Sequence, residues 1–114
     1  MGHRPNATAI PILPGKTEEW RAFVRELKGP KRKEFKNSLK RAGIKHEFVS
    51  FQHTPQGDFA VVADDGKDAD KAFGRLAMSK EPFDVWFMQR VTELHGTPNP
   101  PPPSNELVLD SCDL

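Results

Sequence analysis

The sequence is poor in the groups that most often announce a chemistry. It has one cysteine, Cys112, and no tyrosine among 114 residues. A lone cysteine forms no internal disulfide, and without a Cys-x-x-Cys pair there is no thiolate zinc site, so a stapled scaffold and a zinc ribbon are both excluded. The missing tyrosine removes that side chain from any acid/base or radical role. No apolar run approaches the roughly 18 residues of a membrane-spanning helix, and residues 1–15 lack the apolar stretch of a secretory leader. A cytoplasmic protein with no membrane partner is expected. Neither Gly-x-Gly-x-x-Gly nor a Walker loop occurs, and no cofactor is expected.

What is present is charge, and it is segregated. Residues 1–57 carry 12 basic and 5 acidic side chains, residues 58–114 carry 5 and 11, and the halves cancel to a formal +1. Such asymmetry steers an anionic partner to the first half, lets two copies attract one another, or decorates exposed helix faces. The basic run from Lys31 to Arg41 has no aromatic interleaved on its exposed side, and the whole chain is near neutral, so no nucleic-acid partner is expected. At 36% hydrophobic residues the chain fits one small domain spanning 1–114.

Ala7 to Leu13 reads as a first strand, with Pro11 placing it at an edge or a bulge. Thr17 is positioned to cap a helix whose first turn holds Glu18 and Glu19, and Trp20, Phe23, Val24 and Leu27 give it one apolar stripe. Gly29-Pro30 interrupts it, and a second helical run from Lys31 to Ala42 ends at Gly43. From Ile44 to His53 the period is two: His46, Phe48, Ser50 and Gln52 point one way and Glu47, Val49, Phe51 and His53 the other. Asp58 to Ala63 returns across the turn 54–57 as an antiparallel hairpin. A loop over Asp64–Asp68 leads to a helix reaching Ser79, and Pro82 opens a further helix that Gly96 stops. Residues 97–104 form a proline-rich spacer, and 105–110 alternate as a last strand.

Strand, broken helix, strand, turn, strand, broken helix, spacer, strand is the βαββαβ order of a ferredoxin-like unit: α+β, an antiparallel sheet with its split helices on one face. The other face carries Phe48 or Phe51 and needs a cover, which a second copy supplies. Pro82-Phe-Asp-Val-Trp-Phe87, Val91-Thr-Glu-Leu-His-Gly96, the proline-rich spacer and Glu106-Leu-Val-Leu-Asp110 resemble a small bacterial branch of the dimeric α+β barrel proteins, a branch of unassigned function. The resemblance, one of layout over nearly the whole chain, implies a homodimer of facing sheets. The wider group includes cofactor-free monooxygenases, polyketide cyclases and haem-degrading enzymes, so it implies fold more than reaction.

The expected function is the binding of a hydrophobic metabolite in a cavity between sheet and helices, extending to cofactor-free lyase, cyclase or monooxygenase chemistry. His46 is the candidate acid/base, Ser50 and Gln52 would orient polar atoms, and Trp20, Phe48, Trp86 and Phe87 would form the apolar wall. The competing expectation is a non-catalytic dimer whose aromatics are only core. No metal site is expected: His46 and His53 are an odd number of residues apart and leave by opposite strand faces, and the acidic stretch from Asp64 to Asp70 lacks EF-hand spacing. Asn6, Trp86 and His95 match the residue types of the haem-degrading members, but Trp86 on a helix and His95 at its end do not support a haem pocket.

Overall fold

The computed structural model describes residues 5–96 and 106–114. In it the apolar stripes become helices. α1 (Thr17–Lys28) buries Trp20, Phe23 and Leu27, with Glu18 and Glu19 at its positive end and Arg25 and Lys28 at its negative end. Thr17 does not cap it: the hydroxyl donates instead to Asp58 Oδ2 at 2.5 Å, tying the start of α1 to the sheet. α2 (Arg32–Ala42) ends at Gly43, whose φ of 83° is the left-handed conformation that lets its N–H reach back to the carbonyls of Leu39 and Lys40. α3 (Ala72–Met78) is shorter than expected, because Asp68 takes a positive φ of 56° and a single 3₁₀ turn, Ala69–Lys71, precedes it. α4 (Pro82–His95) starts on its proline and stops at Gly96.

β1 (Asn6–Pro11), β2 (Ile44–Thr54) and β3 (Gly57–Gly66) form one sheet in the order β1-β3-β2. β1 and β2 are both antiparallel to β3, so they run parallel to one another with β3 between them, and α1 and α2 make the crossover. Pro11 is accommodated because β1 is an edge strand. The hairpin turns over Pro55-Gln56, and β3 continues through Asp64, Asp65 and Gly66, which were expected in a loop. Pairing with the first residues of β2 outweighs the low strand preference of aspartate.

The register shifts between Ile44↔Gly66 and His46↔Asp65, so Lys45 is an extra residue and the strand changes parity there. Ile44 is therefore buried on the same side as Phe51, although seven positions separate them. α1 to α4 pack on that side. One cluster joins Ile12, Trp20, Phe23, Leu27, Ala60, Phe83 and Leu94, and a smaller one joins Ala42, Ile44, Ala72 and Leu76.

The expected last strand is not formed. Residues 106–110 enter no ladder, and among the described residues the sheet has three strands. Leu107, Val108 and Leu109 are all exposed, at 53%, 86% and 68%, so the tail's alternation has no buried side to fix its register. The spacer 97–104 falls outside the described residues.

Candidate functional site

Strand parity sorts the candidate residues into two groups that never meet. Ala60 belongs to the core and pairs with Phe51 and Ile10, which fixes the helix-facing rows of the sheet. The alternate rows face away: Phe48–Ala63–Ala7, Ser50–Val61–Ala9 and Gln52–Phe59–Pro11, with His46 opposite Asp65 beyond them. Seven of these eleven side chains are apolar, and Phe48 among them is 58% exposed. At one end a groove of about 390 Å³ runs between the sheet and the tail, lined by His46, Phe48, Ala63 and Asp65 on one side and by Glu106, Leu107 and Val108 on the other. The rings of His46 and Phe48 are 5.8 Å apart and tilted by 44°. Two of the expected residues, His46 and Phe48, thus share one site, while Ser50 and Gln52 lie exposed on the same face outside it.

Trp20, Trp86 and Phe87 are on the opposite side of the sheet and do not join Phe48 in a wall. They pack as core. Trp20 meets Phe51 at 5.8 Å, Phe23 meets Phe87 at 5.6 Å, Phe83 meets Trp86 at 5.5 Å, and Phe35 stacks on Phe87 at 5.9 Å. Rings at these separations are in van der Waals contact, so the space expected to be a cavity is occupied by side chains at these positions. Asn6, Trp86 and His95 are dispersed as well: Asn6 pairs with Asp64 in the sheet, Trp86 is in the ring cluster, and His95 ends α4.

Four polar arrangements have no counterpart in the sequence reading. Glu47 pairs across the strands with Asp64 on the helix-facing side. Burial, then the hydrogen bond and charge of Asp64, push the Glu47 carboxyl up to about 9, so at neutral pH it keeps its proton and donates a hydrogen bond to Asp64. Asp64 Oδ1 is buried without a hydrogen-bond partner among the described residues. The signal was available: Glu47 shares strand parity with Val49 and Phe51.

Asp84, in the first turn of α4, is only 1% exposed. It accepts from Ser38 Oγ at 2.5 Å, Ser79 Oγ at 2.5 Å, Arg41 Nη2 at 2.8 Å and Arg41 Nε at 3.2 Å. Burial opposes its charge, but the Arg41 guanidinium and the two hydroxyls outweigh that and hold the carboxyl below its usual range. No ligand atom is needed to complete this cluster. It clamps α2 to α4.

At the hairpin mouth Asp58 accepts from Thr17 and is 2.5 Å from His53 Nδ1, and these contacts lower its pKa. His53 is therefore spent on a turn, far from His46. His95 Nδ1 lies 2.8 Å from the Pro11 carbonyl, and burial pulls the imidazole below its ordinary pKa against that bond. The neutral ring donates Nδ1–H to the carbonyl and joins α4 to β1. No group of three potential metal ligands occurs among the described residues. No protein-family model, curated protein or solved structure matches this chain.

Proposed function

We propose that the chain is one protomer of a ferredoxin-like homodimer, its outer sheet face packed against that of a second copy, and that the dimer holds a small hydrophobic molecule in the His46–Phe48 groove. The observation that carries this reading is the outer face itself. Seven of its positions, Ala7, Ala9, Pro11, Phe48, Phe59, Val61 and Ala63, are apolar, and α1 to α4 pack on the other side of the sheet. An apolar face on this scale marks a surface that is covered in the working molecule. The order β1-β3-β2 supports the fold name, since it is three strands of the ferredoxin-like arrangement, and the tail passes beside Pro5, Asn6 and Ala7 of the free β1 edge, where the fourth strand would pair.

His46 supports a catalytic extension of the same reading. Among the described residues it is the one imidazole lining the groove, so it is the acid/base there for proton transfer on a bound ligand. Association without chemistry is the second reading, favoured by the ring-filled space between sheet and helices. Nile red, a neutral apolar dye, tests the binding step. The full chain is expected to raise and blue-shift its emission, and Phe48→Asp is expected to lose at least fivefold of that signal while far-UV circular dichroism stays unchanged. Equal dye binding by the variant overturns the groove as the ligand site. His46→Ala is expected to keep the dye and abolish turnover of any substrate found; unchanged turnover leaves the site without chemistry.

A further inference from the structure

The strongest charge feature of the molecule plays no part in that reading. α2 presents Lys33, Lys36 and Lys40 at i, i+3 and i+7, one stripe along the helix, with Arg32 and Asn37 flanking it. Together with the Gly29-Pro30 corner these residues line a groove of about 440 Å³. The neighbouring cations are engaged elsewhere: Lys31 Nζ sits 4.6 Å from the centre of the Trp86 ring, and Arg41 is bound to Asp84. Among the described residues Arg32, Lys33, Lys36 and Lys40 have no carboxylate within 4.0 Å. Four unpaired cations in one groove repel each other, and an anion spread over several of them relieves that repulsion.

We propose that this groove is a binding site for a soluble oligophosphate, with Lys33, Lys36 and Lys40 neutralising successive phosphates, Arg32 gripping the end one and Asn37 donating from its amide. The dimensions fit a short anion. Lys33 to Lys40 spans about 10 Å at 1.5 Å per residue, the reach of two to four linked phosphates. The groove also offers no aromatic platform for bases.

Isothermal titration of the full chain with tripolyphosphate at low salt tests the assignment. Tripolyphosphate is expected to bind at least tenfold more tightly than inorganic phosphate, with affinity falling steeply as salt is added. The exposed triple substitution Lys33→Gln, Lys36→Gln and Lys40→Gln is expected to weaken binding at least tenfold with the circular dichroism spectrum intact. The charge-matched control Lys45→Gln, Lys67→Gln and Lys80→Gln is expected to stay within twofold of the native chain. Equal losses from both triples reduce the effect to net charge and overturn the site. So does binding of inorganic phosphate as tight as that of tripolyphosphate. Tighter binding of a 20-base-pair DNA, or of a polyglutamate peptide, than of tripolyphosphate would assign the groove to a polymer instead and overturn the proposal. None of these results bears on the outer sheet face.

Discussion

At the scale of single residues, two carboxyls with opposite displacements decide how the molecule responds to pH. Asp84 is held below its ordinary pKa, so its contribution to stability is present above the unfolded value near 4 and is lost as the pH falls through the folded one. Replacing it by alanine strands the Ser38 and Ser79 hydroxyls and leaves the Arg41 guanidinium without its partner. Because the Arg41 side chain is 38% exposed and regains water, the expected cost is about 3 kcal/mol, the lower end for breaking a buried pair. Urea unfolding at pH 7 and pH 3 checks it: the gap between native chain and variant is expected to narrow at the lower pH, and a constant gap would count against the clamp. Glu47 has the reverse sign. Its folded pKa is raised to about 9, so stability is full below the unfolded value near 4.3 and drains away as pH rises toward 9. Glu47→Gln keeps the donor and removes the titration. The variant is expected to gain steadily on the native chain as the pH rises from 5 to 8. A margin independent of pH in thermal melts would contradict the proton held between Glu47 and Asp64.

At the scale of elements, the bulge at Lys45 and the end of β3 form one joint. Gly66 is buried where β3 meets the α2–β2 connection, and a methyl group on it would stand 2.2 Å from the Gly43 carbonyl oxygen and 2.9 Å from the Lys45 nitrogen. Both are backbone atoms and cannot swing aside. Gly66→Ala is therefore expected to cost more than about 2 kcal/mol in urea unfolding, whereas Gly57→Ala, at a position with nothing within 4 Å of the added carbon, is expected to cost less despite its positive φ. This joint also marks where the sequence stops being legible. The stripes Trp20–Phe23–Leu27 and Phe83–Phe87–Leu94 announce α1 and α4, because helical spacing is a local property. A single extra residue at Lys45 leaves no compositional trace, and Asp64-Asp65-Gly66 has the composition of a turn although it pairs as strand. In the candidate site the shared face of His46 and Phe48 was legible from parity. Trp20, Trp86 and Phe87 were assigned to the same wall because a stripe states that a helix faces a core, without stating which side of the sheet that core lies on. The Asp84 clamp depends on where α2 crosses α4, which no local pattern encodes.

At the scale of the whole molecule, the account rests on an imbalance between the two sides of the sheet. One side is closed by α1 to α4 and their rings, and the other carries Phe48, Phe59 and Val61, with only the tail beside it among the described residues. Burying a phenylalanine and its aliphatic neighbours against a second copy stabilises association by about 25 cal/mol per Å² removed from water, and a charged side chain within that contact reverses the balance. Sedimentation equilibrium of the full chain beside its Phe48→Asp variant measures this directly. The native chain is expected at twice its own mass at micromolar concentration, and the variant, with unchanged circular dichroism, at the mass of a single chain. A native chain that sediments as a single copy at 100 μM would contradict the facing-sheet dimer.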